Sequence, residues 1–287
     1  MARTPRNLTG RVVAITGAAR GIGYATAQAC VREGMLVAIG DLDLPAAERA
    51  AAALGHGTIA VALDVCDRAS FAAFLDEAEA RLGALDVLVN NAGIMQLGRL
   101  VGEDEATARR QVDINVHGVL HGMKEALPRM LARDSGHVVN IASTAGKVGF
   151  AGGATYSGTK HFVVGVSETA RAELRGSAVE VSCVMPGIVK TELGSGLPQP
   201  RLVKHTEPEA VAAAIVGVLR APRFDVFVPR TIGPLIAFAN LLPRTAREAL
   251  ARALKADRVL DLPDPSVRSA YEARAARSGS GLPRGDA

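Results

Sequence analysis

The sequence predicts an α/β protein built on a doubly wound parallel sheet of about seven strands, with a helical C-terminal extension. Short apolar runs alternate with helix-like patterns along most of its 287 residues. The runs are nearly continuous in Val, Ile, Leu and Ala, which is typical of strands covered by helices on both faces. With 48% hydrophobic and 22% charged residues, the composition excludes disorder, collagen and coiled coils.

Each strand pattern is followed by a helix pattern, so the chain is predicted to wind through one parallel sheet. Strands are expected at 11–16, 36–41, 58–64, 87–90, 137–141, 179–184 and 224–228. Helices are expected near 22–33, 45–54, 68–82, 103–131, 155–175 and 208–219. Because the alternation continues through the seventh strand, residues 1–230 are predicted to form a single domain.

The alternation stops after residue 228, and 231–277 is predicted to be a helical extension of the same domain. Its first part, 232–242, is apolar, and a capping box formed by Thr245 and Glu248 predicts a following helix. Three roles are open for the apolar part: covering a pocket or an oligomer interface, docking on a membrane surface, or packing in the core. Residues 278–287 have the composition of a flexible tail.

Charge and cysteine content narrow the class of protein further. Residues 220–287 hold eleven Arg and one Lys against seven acids, a surplus that indicates a solvated tail or a surface contact. Three widely spaced cysteines indicate that the protein has neither a disulfide framework nor a zinc site. We expect a cytoplasmic protein with at most a peripheral membrane contact. With 3% aromatic residues and no Trp, nucleic-acid binding is not expected.

A glycine-rich turn joins the first predicted strand to the first helix. Gly17, Arg20, Gly21, Ile22 and Gly23 occupy this turn in the spacing G-x-x-x-G-x-G. Glycines let backbone amides approach a pyrophosphate, and a helix N-terminus offers unpaired N–H groups to it. The turn therefore predicts binding of a dinucleotide.

The second strand ends at Asp41, where a carboxylate can accept hydrogen bonds from the ribose hydroxyls of adenosine and repel a 2′-phosphate. Asp41 therefore favours NAD over NADP. Arg20 acts in the opposite direction, because a guanidinium can pair with a 2′-phosphate.

Two further strand ends carry candidate cofactor contacts. Asp64 and Val65 follow the third strand, where a carboxylate and an amide can hydrogen-bond the adenine ring. Asn91, Ala92 and Gly93 follow the fourth strand, where small residues allow a close approach of the backbone to the cofactor. An exposed acid and an ordinary turn are the alternatives at these two places.

The candidate reacting groups are Ser143, Tyr156 and Lys160. Tyr156 and Lys160 are four residues apart on one predicted helix and share a face. A nearby ammonium, together with an oxidised nicotinamide, is expected to lower the pKa of the phenol, so that Tyr156 exchanges a proton with an alcohol or a carbonyl. Ser143 orients the substrate oxygen, Lys160 also holds the nicotinamide ribose, and Asn115 is expected to hold a water between Lys160 and solvent.

In this order along the chain, these residues resemble the classical short-chain dehydrogenase/reductase family. The resemblance rests on the Gly turn, on Asn-Asn-Ala-Gly at 90–93, and on the tetrad Asn115, Ser143, Tyr156 and Lys160. It implies a Rossmann-like fold, an NAD(P)-dependent enzyme acting on CH–OH groups, and a homodimer or homotetramer. It also implies that Asp41 marks NAD preference.

The resemblance extends to the segment that follows the sixth strand. Pro186, Gly187 and Thr191 match the family's Pro-Gly-x-x-x-Thr pattern. By this resemblance Thr191 contacts the nicotinamide carboxamide and Ile188 contacts its ring.

The substrate is expected to be a lipophilic secondary alcohol or ketone, because the predicted pocket is mostly apolar. Its expected lining is Ile94, Met95, Gln96, Lys147, Val148, Phe150, Leu193 and Leu197, and segment 194–200 is a candidate lid. An NADP-dependent ketoreductase of the 3-oxoacyl type and a non-catalytic dinucleotide sensor are the alternatives. His117 and His121 are four residues apart, but no neighbour supplies the Glu of an H-E-x-x-H motif, so no metal is expected.

Overall fold

The sheet of the computed structural model, which describes residues 5–198, 205–253, 260 and 263–278, has seven parallel strands in the order β3-β2-β1-β4-β5-β6-β7. The predicted doubly wound fold is confirmed. The strands are β1 Val12–Thr16, β2 Leu36–Asp41, β3 Ile59–Ala62, β4 Leu85–Asn90, β5 Gly136–Ile141, β6 Val179–Pro186 and β7 Asp225–Val228.

Helices cover both faces of the sheet. Those of the main domain are α1 Gly21–Arg32, α2 Leu44–Leu54, α3 Arg68–Leu82, α4 Glu105–Val112, α5 Gly118–Leu131, α6 Ala154–Glu173 and α7 Pro208–Arg220. Alternate strand residues pack on opposite sides, so that Ala14 joins the core under α3, α5 and α6, while Ile15 joins the core under α1, α2 and α7. Every residue of β1 is buried, as its continuous apolar pattern predicts.

One predicted helix is interrupted in the structure. The stretch 103–131 forms α4 and α5, with a π-helical turn at Asp113–His117 between them. The turn holds the amide of Asn115 against the backbone of Ile94, which follows β4, and such bulges are frequent at functional sites. The apolar spacing over 103–131 predicts one continuous helix and gives no signal for this turn.

The strand order places the site. β1 lies between β2 and β4, so the chain reverses its direction of progress across the sheet at β1. The carboxyl ends of β1 and β4 therefore border a crevice, which is where ligands bind in open α/β sheets.

The C-terminal extension is helical, as predicted, and comprises α8 Ile232–Leu241, α9 Arg244–Ala253 and α10 Pro265–Ala275. The predicted capping box is wrong: α9 begins at Arg244, so Thr245 lies inside the helix. Glu248 instead accepts a hydrogen bond from Arg244 Nε at 2.9 Å. Of the predicted lid and tail, 199–200 and 279–287 lie outside the described residues.

No helix within the described ranges has both the length and the apolar character needed to cross a lipid bilayer. The cytoplasmic location stays a prediction.

Candidate active site

The glycine turn is held to the end of β4 by hydrogen bonds. Thr16 Oγ1 accepts from the amides of Asn91 and Ala92, both at 3.0 Å. Asn91 Nδ2 donates to the carbonyl oxygens of Thr16 at 2.9 Å and Gly17 at 3.0 Å. The Asn91 side chain therefore fixes the two turns to each other.

Close packing explains two of the glycines. A Cβ on Gly23 would lie 2.5 Å from the Gly17 carbonyl oxygen and 2.6 Å from Asn91 Nδ2. Gly17 has φ +64°, and a Cβ there would lie 2.8 Å from Ala92 Cα. Gly17 lines the cavity described below and Gly23 does not, so the contact of Gly23 with the cofactor stays a prediction.

No side chain caps the N-terminus of α1, whose preceding residue is Arg20. The first amides of the helix therefore have no side-chain acceptor and are suited to an anionic group. This feature and the lack of a Cβ at Gly17 and Gly21 fit the pyrophosphate of a dinucleotide.

At the far end of this crevice, acidic groups surround the place predicted for the ribose. Asp41 accepts from the amides of Ala19 at 3.0 Å and Asp43 at 3.1 Å, which fixes its carboxylate beside the glycine turn. Arg20 Nη2 pairs with Asp43 Oδ2 at 2.5 Å. The guanidinium that could attract a 2′-phosphate is thus already offset by a carboxylate.

A cavity of about 510 Å³ runs along the carboxyl edge of the sheet. Its lining contains every predicted cofactor residue except Gly23: Gly17, Arg20, Gly21, Ile22, Asp41, Asp64, Val65, Asn91, Ala92, Gly93, Tyr156, Lys160, Pro186, Gly187, Ile188 and Thr191. Ser143 also lines it. Residues far apart in the sequence are therefore brought to one cleft.

The predicted reacting groups meet inside this cavity. Tyr156 and Lys160 project from α6 and are both 6% exposed. Lys160 Nζ lies 5.9 Å from the centre of the Tyr156 ring and donates to the Ile141 carbonyl oxygen at 2.9 Å. Ser143, which precedes a short 3₁₀ turn, hydrogen-bonds the Tyr156 hydroxyl.

Burial dominates the protonation of this pair. Desolvation raises the pKa of Tyr156 to about 12, against a smaller lowering by the hydrogen bond with Ser143. Desolvation also lowers the pKa of Lys160 to about 8. Burial therefore acts against the phenolate. The predicted lowering of the pKa of Tyr156, which includes the charge of an oxidised nicotinamide, stays a prediction.

Asn115 is fully buried and does not line the cavity. Its Oδ1 accepts from the Ile94 amide at 2.9 Å, and its Nδ2 donates to the Ile94 carbonyl oxygen at 2.9 Å and to Thr159 Oγ1 at 3.1 Å. These bonds join the loop after β4 to α6. The water-holding role of Asn115 stays a prediction.

His117 and His121 lie side by side. Their rings are stacked with centres 6.4 Å apart, and His121 Nδ1 lies 3.0 Å from the Val65 carbonyl oxygen. Within the described part of the chain, no three His, Cys, Asp or Glu residues are placed to hold an ion.

The substrate end of the cavity matches the prediction in part. Ile94, Met95, Phe150, Leu193 and Leu197 line it. The predictions for Gln96, Lys147 and Val148 are wrong, because these side chains lie elsewhere. Gln96 accepts from Arg110, and Lys147 pairs with Glu168 at 3.2 Å.

The remaining wall comes from a part of the C-terminal extension, Leu260 and 271–278, that the sequence did not assign to the site. Leu260, Tyr271, Arg274, Ala275, Arg277 and Ser278 line the cavity, whereas no residue of 232–242 does. The prediction that the apolar stretch covers the pocket is therefore wrong for that stretch. It forms α8, which packs on β7 with Gly233 against the Phe227 ring.

A buried arginine holds α10 on the cavity. The Arg268 side chain is 2% exposed. Its guanidinium donates to the carbonyl oxygens of Met95 at 2.8 Å, Leu193 at 2.9 Å and Ser195 at 2.9 Å. Glu272 accepts from its Nε at 3.1 Å. One side chain thus connects α10 to the loop after β4 and the loop after β6.

Tyr271 adds a second contact between α10 and the loop after β4. Its hydroxyl oxygen accepts from the Met95 amide at 2.7 Å, and burial raises the pKa of its phenol. A generic helix pattern in an extension gives no signal of either contact. An arginine among the apolar positions of α10 is the one feature that sequence reasoning could have used.

The sheet order, the glycine turn and the cavity define a dinucleotide-binding Rossmann fold. Residues 11–201 match the family model described as short chain dehydrogenase. The chain is 40% identical over 218 residues to cis-4-hydroxycyclohexanecarboxylate dehydrogenase of Sinomonas cyclohexanicum, covering 71% of this chain and 87% of that protein. It resembles a short-chain dehydrogenase/reductase of Burkholderia phymatum solved with NAD (TM-score 0.75, 28% identity, covering 82% of this chain and 94% of that one).

A third relative is much longer than this chain. Glycine betaine reductase of Emericella nidulans is 36% identical over 227 residues, which are 75% of this chain and 18% of that protein. The chain thus spans a small part of that relative's length.

The chain belongs to the short-chain dehydrogenase family. It is an oxidoreductase of the kind that includes alcohol dehydrogenases, with a nicotinamide dinucleotide as cofactor.

Proposed function

We propose that this protein interconverts a lipophilic secondary alcohol and its ketone with NAD(H), using Tyr156 as the acid/base. The observation that carries the proposal is the meeting of Ser143, Tyr156 and Lys160 in a cavity otherwise lined by the predicted cofactor residues. The relative from Sinomonas is named for a substrate that is itself a secondary alcohol.

A nicotinamide dinucleotide held by the predicted cofactor residues would supply or accept the hydride. Tyr156 takes the hydroxyl proton of the alcohol in oxidation and returns it to the carbonyl oxygen in reduction. Ser143 hydrogen-bonds the same oxygen and orients it. Lys160 is held by a hydrogen bond to the Ile141 carbonyl oxygen. Its positive charge favours the phenolate form of Tyr156, which takes the proton of the alcohol during oxidation.

Asp41 supports NAD as the preferred cofactor. Its carboxylate lines the cavity beside the glycine turn, and a 2′-phosphate placed there would meet a fixed negative charge. Arg20, the opposing cation, is paired with Asp43.

The acid/base assignment is tested with Tyr156→Phe, with Tyr24→Phe on α1 as the matched control. We expect Tyr156→Phe to lower kcat about 100- to 10,000-fold while the dissociation constant for NADH stays near that of the wild type. Turnover is measured as NADH appearance on secondary alcohols of graded length. Near wild-type turnover of Tyr156→Phe would refute the assignment.

Cofactor choice is tested by the dissociation constants of NADH and NADPH. We expect NADH to bind at least about ten-fold more tightly, and Asp41→Ala to narrow the difference. Tighter binding of NADPH would favour the alternative of an NADP-dependent ketoreductase. Tight NADH binding with no turnover on any alcohol or ketone would favour a dinucleotide sensor.

The homodimer or homotetramer stays a prediction, which light scattering checks.

A further inference from the structure

Helix α8 exposes an unusually apolar surface. Only Ile232 and Gly233 of the helix are buried. Leu235, Phe238 and Leu241 are 38%, 58% and 83% exposed. Spaced three residues apart, they lie along one side of α8, and we call them the α8 stripe. Three large apolar side chains in one exposed row are typical of a surface that contacts a partner or a lipid.

Arginines flank α8 along the chain, and Arg247 Nη1 donates to Asn240 Oδ1 of α8 at 3.2 Å. Arg230 precedes α8, and Arg244, Arg247 and Arg252 belong to α9, the next helix. Glu248 is the sole acidic residue in 230–253 and pairs with Arg244 at 2.9 Å. The segment therefore carries a net positive charge beside its apolar row.

Charge decides between two occupants of this surface. In a symmetric dimer each copy would present the same patch to its partner, so both the apolar rows and the arginines would face each other. Like charges brought together oppose such an interface. An anionic bilayer accepts both features at once, because apolar side chains enter the headgroup boundary while arginines meet lipid phosphates.

We propose that α8 and α9 dock this enzyme on an anionic membrane surface, with the α8 stripe inserted and Arg230, Arg244, Arg247 and Arg252 against the headgroups. None of the residues of α8 or α9 lines the catalytic cavity. Docking therefore leaves the cavity walls intact, and this proposal stands or falls separately from the proposed function.

The test uses the full chain and sedimentation with phosphatidylcholine vesicles, with and without phosphatidylglycerol. We expect association with the phosphatidylglycerol vesicles at low salt, and weaker association at high salt or on phosphatidylcholine alone. The variant Phe238→Asp/Leu241→Asp is expected to lower vesicle partitioning at least about ten-fold. Arg230→Gln/Arg247→Gln is expected to lower partitioning and to reduce its salt dependence.

The matched control is Leu100→Asp/Val101→Asp, which changes two side chains that are 67% and 98% exposed far from α8 in the sequence. It should sediment with vesicles as the wild type does. NADH binding by every variant confirms that the site is folded.

Three results would overturn the proposal. The first is no association of the wild type with anionic vesicles at low salt. The second is equal partitioning by wild type and Phe238→Asp/Leu241→Asp. The third is light scattering in which that variant alone converts an oligomer to monomers, which would assign the α8 stripe to contact between copies of this chain.

Discussion

The cofactor edge of the sheet and helix α10 build the same cavity in opposite ways. At the cofactor edge, side chains such as Thr16 and Asn91 bond the backbone of short loops that follow strands, and each loop has its own signature in the sequence. At α10, a single side chain, Arg268, reaches a carbonyl oxygen 173 positions away. The first region is specified locally, whereas the second depends on the finished fold.

The largest expected effect is on the cofactor edge. Gly23→Ala places a Cβ against the Gly17 carbonyl oxygen and Asn91 Nδ2, so the two turns must separate. We expect the dissociation constant for NADH, measured by fluorescence, to rise at least about 100-fold. Gly165→Ala, on α6 with no heavy atom within 4 Å of the new Cβ, is the control and should bind NADH normally. Normal NADH binding by Gly23→Ala would show that the packing of the turn is not limiting.

Arg268→Met removes the contacts that hold α10 on the cavity. It leaves the carbonyl oxygens of Met95, Leu193 and Ser195 without their donor, at about 1–3 kcal/mol for each that stays buried. We expect α10 to detach more readily, so KM for the alcohol rises about ten-fold while NADH affinity is unchanged. Limited proteolysis and steady-state kinetics are the measurements.

Arg274→Met on the same helix is the comparison for Arg268→Met, since Arg274 is half-exposed and pairs with Glu192 at the surface. Its effect on proteolysis should be slight. Equal effects of the two substitutions would mean that the buried contacts of Arg268 do not hold α10.

The sheet, unlike α10, contains a buried histidine that makes the stability of the fold depend on pH. Burial lowers the pKa of His137, in β5, from 6.5 to about 3. Between these values the unfolded chain binds a proton that the folded chain does not, so stability falls as pH drops below 6.5. At pH 5 the loss is about 2 kcal/mol. Urea unfolding at pH 7.5 and pH 5 should show this loss in the wild type and in His161→Gln, and a smaller one in His137→Gln.

The smallest expected effect is that of Tyr271→Phe. The substitution keeps the ring on α10 but removes the acceptor of the Met95 amide, at about 1 kcal/mol. We expect KM for the alcohol to rise about three- to five-fold with little change in kcat. A loss of kcat as large as that of Tyr156→Phe would instead give Tyr271 a direct part in proton transfer.

The parts of the site that the sequence predicted are those whose chemistry is carried by neighbouring residues. Gly17 to Gly23 form one turn, and Tyr156 and Lys160 lie one helical turn apart. The parts that it missed are contacts between residues far apart in the sequence, which only the three-dimensional fold brings together. Tyr271 reaches the cavity only because α10 returns across the loops after β4 and β6.

Burial set a second limit on prediction from sequence. The spacing of Tyr156 and Lys160 correctly gave their proximity but not the extent of their burial, which raises the pKa of Tyr156 and depends on the surrounding walls. Asn115 shows the same limit: its place near Lys160 was expected, whereas the π-helical turn that engages its amide with Ile94 was not.

The bond between Arg268 and Met95 also bears on how the enzyme is made. Translation adds Arg268 173 residues after Met95, when all seven strands have already been synthesised. Every predicted cofactor residue, the last being Thr191, is therefore synthesised before the helix that completes the cavity wall.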